Sequence, residues 1–293
     1  MNTEDMIFVG LSTFDICYEL EDLPQRNQKA KASTSWTSPG GPAFNAAVTF
    51  CKLGGQATLY TSLPTSPYSS SLHDLAESSG LEIIDCAEVG AKLPIASIIV
   101  HPSNGDRTVI GHREQAMTAK EITSPTTQRR LFWDGYYEAL FVSILRAAEV
   151  ESLVYDGGSW KEHDAVALDA ISEPVVSERF YVDPRGRNWC EKKVADGRKV
   201  IVTRGNDPVQ IIGSRGLSEI AVPEVKSVDT LGAGDVFHGA YCFARFCDGM
   251  DHTGAAVFAA AVASFACTRR TPHDWTHAEA VEFYQAWLKA LNT

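Results

Sequence analysis

Along most of the chain, short apolar runs alternate with stretches of helical periodicity, and that alternation limits the fold more than any other feature. Met6-Ile7-Phe8-Val9 ends at Gly10 as a buried strand does. Gly40-Gly41-Pro42 then opens a small-residue segment, Ala43 to Leu53, with proline tolerated in the first helical turn and Gly54-Gly55 closing the helix. Ala57 to Leu63 reads as a strand and Tyr68 to Ser79 as a helix stopped by Gly80. The rhythm returns between residues 131 and 203. Strand signals lie at Phe132-Trp133, Ser152 to Tyr155, Phe180-Tyr181-Val182 and Val200 to Thr203, with a helical pattern from Ala139 to Ala148. Three more helical patterns follow: Gly234 to Cys247, Thr253 to Thr268 and His277 to Leu291. Strands separated by helices predict an α/β fold, a central mostly parallel sheet flanked by helices.

Two segments break the rhythm. Residues 12–38 are more polar and alternate only loosely, as strands exposed on one face do. Ile95 to Val100 and Arg107 to Ile110 flank Ser103-Asn104-Gly105-Asp106, and Asn-Gly between β-rich runs is a strong hairpin signal. The segments near 12–38 and 94–112 are therefore expected to form a small β lid, although the hairpin fits a surface feature without function as well. Val209 to Ile212 and Ser218 to Val222 predict another hairpin across Gly213 to Gly216. No linker rich in Pro, Gly or Ser divides the 293 residues, so one domain spanning 1–293 is expected.

The net charge of −11 argues against a broad nucleic-acid footprint, which needs clustered positive charge. It does not exclude a small anion, because local backbone dipoles outweigh a distant net charge. Apolar stretches fall far short of the roughly 18–20 residues of a membrane span. Met1-Asn2-Thr3-Glu4-Asp5 lacks the basic, then apolar, plan of a secretory signal. Seven cysteines, an odd number without a CxxC pair, read as reduced thiols. Together these predict a cytoplasmic protein with neither a nucleic-acid nor a membrane partner.

Chemistry concentrates in Asp229-Thr230-Leu231-Gly232-Ala233-Gly234-Asp235. Glycines flanking one alanine let successive N–H groups point the same way, and the following helix aims its positive end at that concavity. Gly232, Ala233 and Gly234 thus suit an anion hole for a phosphate or a transferring phosphoryl group. Asp235, in the first helical turn, is placed to take a proton from a hydroxyl beside that hole. The same residues also suit an ordinary loop with a helix-capping aspartate. Neither a Walker pattern nor an early dinucleotide fingerprint is present. Nearer the start, Asp15, Gly41 and Asn45 combine a carboxylate, a close-approach glycine and an amide that donates and accepts. They describe a polyol pocket, although Asp15 also suits a turn and Asn45 a helix surface.

In this order, Gly40-Gly41-Pro42-Ala43-Phe44-Asn45 and Asp229 to Asp235 resemble the signatures of the phosphofructokinase-B/ribokinase-type family of carbohydrate kinases. The resemblance covers nearly the whole chain and implies a ribokinase-like fold. Within the family the closest likeness is to ketose-type kinases. Leu93 to Val100 with Asn104 to Thr108 looks like the hairpin of the ketohexokinases. Gly234 to Ala240 and Cys267-Thr268-Arg269-Arg270 look like segments of the bacterial sulfofructose kinases. The resemblance implies Asp15, Gly41, Asn45 and Arg107 around a sugar, Asp235 as general base, and Gly232 to Gly234 as the anion hole. It places Thr203 and Gly205, of Thr203-Arg204-Gly205, along a nucleotide, and Ala263, in the helix from Ala259 to Ala266, beside adenine. ATP and magnesium are the implied cofactors, while the exposed apolar face expected of the lid suits pairing of two subunits as a homodimer.

Some segments depart from the family pattern. Ser177-Glu178-Arg179-Phe180 stands where the family has Asn-x-x-Glu, leaving Glu178 as the substitute that orders magnesium. Arg270-Thr271-Pro272-His273-Asp274-Trp275 replaces a Gly-rich loop that helps enclose a monovalent cation, which weakens the case for a potassium requirement. Pro64-Thr65-Ser66-Pro67-Tyr68 likewise replaces a Gly-rich segment. His273 and His277 share a spacing that suits one helix face, yet no third ligand lies nearby in sequence, so no metal site is expected there. His238, beside Asp235, reads as helix packing. The expected activity is ATP-dependent phosphorylation of a primary hydroxyl on a small ketose-like carbohydrate. A nucleoside-type kinase of the same family and a non-catalytic sugar-binding sensor are the alternatives.

Overall fold

The strand–helix alternation becomes two sheets in the computed structural model, which describes residues 5–103, 105–111, 118–122 and 129–291. Met1 to Glu4, Asn104 of the expected hairpin turn and residue 112 at the end of the expected lid lie outside them. The first half contains β1 (Asp5–Val9), β2 (Thr13–Glu19), β3 (Thr34–Gly40), α1 (Pro42–Lys52), β4 (Gln56–Thr61), α2 (Ser69–Ser79), β5 (Glu82–Asp85), β6 (Ile95–Val100), β7 (Arg107–Gly111), β8 (Arg130–Trp133) and α3 (Glu138–Ala147). The second contains β9 (Ser152–Gly157), α4 (Ala165–Ala170), β10 (Glu173–Ser177), α5 (Glu178–Val182), α6 (Pro184–Ala195), β11 (Val200–Arg204), β12 (Asp207–Gly213), β13 (Gly216–Ile220), α7 (Ala233–Phe246), α8 (His252–Ala266) and α9 (His277–Leu291).

Nine strands run in the order β13-β12-β11-β10-β9-β8-β1-β4-β5. Pairs from β11 to β5 are parallel, while β12 and β13 add an antiparallel edge. β1 shows why the centre is apolar throughout. Met6 and Phe8 point into the core under α1, α7 and α8, whereas Ile7 and Val9 point into the core under α3, α4 and α6. A strand covered on both faces has no side left for polar residues.

The second sheet has the order β3-β2-β6-β7. It leaves the carboxyl end of β1 and contains the expected hairpin of β6 and β7, with Val100 opposite Arg107. Its turn docks on the segment before α7, because the Thr230 hydroxyl donates to the Gly105 carbonyl at 2.9 Å.

One expectation fails. Phe180-Tyr181-Val182 is not a strand but most of α5, and the strand is β10 just before it. The Ser177 hydroxyl accepts the Phe180 amide at 3.2 Å and so starts a helix there. Pro174 inside β10 disguises that strand, since proline cannot donate to a ladder. The structure also adds β5, α4 and α6. The last begins at Pro184, capped by Asp183, which accepts the Arg185 amide at 2.9 Å. Among the described residues no helix is long and apolar enough to cross a membrane.

Candidate active site

The turn into α7 is set by Gly232, which sits at φ 72° in the left-handed region. A Cβ there would press on Pro272 at 3.1 Å and on the Asn45 amide at 3.3 Å, so a side chain at this position is strained by both φ and packing. Beyond it the first-turn N–H groups of α7 stand at the helix's positive end, that of Ala233 donating to the Thr230 carbonyl at 3.3 Å. Ala233 and Gly234, unlike buried Gly232, reach the wall of a cavity described below.

Asp235 follows directly and is half-buried. Its Oδ2 accepts a hydrogen bond from Asn45 Nδ2 at 2.7 Å, joining residues 190 positions apart. Burial pushes the Asp235 carboxyl up to about 7, and the Asp156 charge pushes the same way. The Asn45 bond, His238 and Arg107 oppose the rise. A carboxyl poised near neutrality suits proton abstraction in a cleft. His238 is a packing residue, as expected. Its ring nitrogens face the Gly234 carbonyl at 2.7 Å and the Val175 carbonyl at 3.0 Å, tying the start of α7 to β10.

Close packing brings Asn45 to this place. Asn45 is 3% exposed, and its other amide atom, Oδ1, lies 3.0 Å from His273 Nε2. Sequence reasoning assigned His273 no role beyond rejecting it as a metal ligand. The structure seats it in the loop between α8 and α9. Burial and nearby Lys52 drive its imidazole down to about 3.

On the other side of Asn45, Gly41 opens α1 at φ 105°, where a Cβ would lie 2.3 Å from the Leu11 carbonyl. Asp15, on β2, is 5% exposed and accepts from the Thr13 hydroxyl at 2.8 Å. Its carboxyl is pushed up to about 6 by burial, the Thr13 bond opposing and Asp229 adding to the rise. Asp134, after β8, is a positioning residue that the sequence did not disclose. Its buried carboxylate accepts from the backbone of Leu11 at 2.8 Å, Ala43 at 3.2 Å and Tyr136 at 3.0 Å.

A cavity of about 520 Å³ opens beside the α7 turn. Thr203, Gly205 and Ala263, expected along the nucleotide, and Glu178, expected at its magnesium, all line it. Arg107, expected at the sugar, lines the same cavity and donates to the Thr230 hydroxyl at 2.7 Å. It therefore stands where hairpin and helix turn meet. Arg179 and Arg204 add positive charge, while Val209, Val222 and Phe237 give an apolar wall. Such a mixture suits a polyphosphate carrying a flat aromatic base. Glu178, which accepts from Arg204 Nε at 3.2 Å, supplies a carboxylate among these cations. That donor set fits magnesium, which takes one or two carboxylates with substrate phosphates and keeps much of its water. Among the described residues no group of three or more His, Cys, Asp or Glu side chains is arranged to bind a metal without such help.

Comparison with known proteins gives the family and the fold. The family described as pfkB family carbohydrate kinase matches residues 4–137 and 185–276. Ribokinase from Bacillus subtilis (strain 168) is 23% identical over 282 residues, covering 87% of this chain and 90% of that protein. A putative ribokinase from Agrobacterium tumefaciens shares the fold with a TM-score of 0.82 at 20% identity, over 98% of this chain and 99% of the other. A putative ribokinase II from E. coli, in complex with ATP and Mg2+, gives a TM-score of 0.73 at 18% identity, over 97% and 99% of the two chains. The fold is ribokinase-like.

Proposed function

We propose a specific reaction on the premise that the chain belongs to the pfkB family of carbohydrate kinases, phosphotransferases with an alcohol as acceptor. The reaction is transfer of the γ-phosphoryl group of ATP to a primary hydroxyl of a small ketose or ketose-like sugar. Asp235 accepts the hydroxyl proton, and the turn from Gly232 to Gly234 holds the charge that builds on the migrating group. One observation carries this reading. Asp235, anchored by Asn45, adjoins Ala233 and Gly234, which line the cavity shared by Glu178, Thr203, Gly205 and Ala263.

Asn45 occupies Oδ2 of Asp235 and leaves Oδ1 for the acceptor hydroxyl. Asp15 and Gly41 complete the sugar side, and Arg107 reaches the acceptor or its anionic substituent from the hairpin. Thr203 and Gly205 follow the nucleotide, with Ala263 beside the base. Glu178 would hold magnesium together with the phosphates, and the ion when bound neutralises part of their charge. The small sheet, over segments 12–38 and 94–112, acts as a lid on a single domain and excludes water from the transfer. Its edge strand β7 exposes Val109 and Ile110, one on each face, and this apolar edge pairs with a second copy.

The test is ADP release with Mg2+ and ATP over a panel of fructose, sulfonated ketoses, ribose and nucleosides. Turnover is expected with a ketose and lost in Asp235→Asn, with ATP binding retained. Near-normal turnover in that variant rejects the base. Preference for a nucleoside rejects the substrate class.

A further inference from the structure

We propose that His273 is a positioning residue for phosphoryl transfer, holding the Asn45 amide in the one orientation that donates to Asp235. The proposal deepens the reading of Asp235 as general base and rests on it. Its geometry follows from what each atom is able to give. In its ionised, proton-accepting form Asp235 only accepts, so the 2.7 Å contact to Oδ2 then requires the NH2 end of Asn45. Asn45 Oδ1 then faces His273 Nε2 at 3.0 Å, and that nitrogen must carry the proton. A flipped amide would set two acceptors against each other at the ionised Asp235 and would need the His273 proton on Nδ1 instead.

The imidazole has little other reason to be there. It is 8% exposed, and Nδ1 makes no hydrogen bond among the described residues, although the Pro39 carbonyl lies near the ring. An apolar side chain of similar size would fill the space without burying that unpaired nitrogen. What such a side chain lacks is the Nε2 donor. The loop holds the ring rigidly in return. Lys52 donates to the His273 carbonyl at 2.8 Å, Trp275 Nε1 to the Pro272 carbonyl at 2.7 Å, and the edge of Phe44 meets the ring at 6.3 Å. Pro272 also packs against the Cβ-less face of Gly232, so one loop supports both the anion turn and the base.

The consequence falls on Asp235. Asn45 favours the charged carboxylate, while Asp156 disfavours it and His238 and Arg107 favour it. With the amide loose, only the last two groups still support the base. The direct measurement is an NMR titration of the Asp235 carboxyl carbon in the full chain. The wild type is compared with His273→Leu, which lacks the donor, and His273→Gln, which restores an N–H at similar reach. His273→Leu is expected to raise the Asp235 midpoint by about one pH unit, the loss of one buried hydrogen bond to a charged group. At pH 6 its kcat falls roughly tenfold while KM for ATP is unchanged. His273→Gln returns both values toward the wild type.

An unmoved midpoint in His273→Leu, or a His273→Gln that behaves like it, overturns the proposal. Should His273→Leu fail to fold, imidazole nitrogen shifts of the wild type decide. A proton on Nε2 supports the hold and a proton on Nδ1 alone ends it. Asp235→Asn separates the two claims. If that variant still turns over, the base assignment falls while the titration continues to judge the grip of His273 on Asn45.

Discussion

Gly239 on α7 faces the Ala46 carbonyl of α1 so closely that a Cβ there would lie 2.2 Å from that oxygen. Asn45 precedes Ala46, and Asp235 stands one turn before Gly239, so this bare patch of helix lets amide and carboxylate meet. Exchange of a mid-helix glycine for alanine ordinarily stabilises by roughly 0.5–1 kcal/mol. At Gly239 the sign is expected to reverse, since overpacking costs about 1–3 kcal/mol. Thermal unfolding of Gly239→Ala checks this, and a melting temperature at or above the wild type refutes it.

Asp235→Asn is expected to lower kcat by about 10²–10⁴-fold, the usual share of a general base. The same substitution should raise the melting temperature at pH 8. A carboxyl whose folded pKa is raised binds its proton more tightly folded than unfolded. Its contribution is present below the ordinary value of 3.8 and lost as pH rises through about 7. An amide stays neutral and escapes that loss. Calorimetry at pH 5 and pH 8 should show the stability gap between variant and wild type widening with pH.

In the wild type, kcat/KM for the sugar should fall as pH drops through about 7, because only the ionised Asp235 accepts a proton. About a tenth of the plateau value is expected one pH unit below that midpoint. A profile flat down to pH 5 would contradict the raised value.

Thr230 accepts from Arg107 and donates to the Gly105 carbonyl, which fastens the hairpin turn to the approach to α7. Thr230→Val removes both bonds at nearly constant volume. Sugar-independent ADP release is expected to rise, since water then reaches the phosphoryl group. Unchanged release without sugar, alongside normal turnover with it, would show that the hairpin needs no such fastening.

On the resemblance drawn from the sequence, Pro272 and His273 fall where glycines help enclose a monovalent cation. Exchange of potassium for sodium at fixed ionic strength is expected to leave kcat unchanged. Strong potassium activation would contradict it.

Much of this site is legible in the chain itself because it is built from local backbone rules. Gly41 and Gly232 sit at positive φ, which favours glycine, and the helices they open carry Asn45 and Asp235 in fixed places. The α/β alternation is equally plain, since β1 is apolar on both faces. What stays hidden depends on contacts between distant segments. Nothing local marks His273 as the partner of a residue 228 positions away, and its neighbours suggest a metal motif instead. Asp134 looks like a strand-end aspartate until the amides of Leu11 and Ala43 converge on it. Phe180 misleads for a related reason. Its aromatic run has β character, yet a serine cap one residue outside the helix decides the conformation.

Asp134 carries a further implication. Its carboxylate gathers the peptide groups after β1, at the head of α1 and after β8, so the walls on the acceptor side cannot be displaced one at a time. A lineage that changes its acceptor is thereby steered toward exchanging side chains on a fixed frame rather than reshaping the frame.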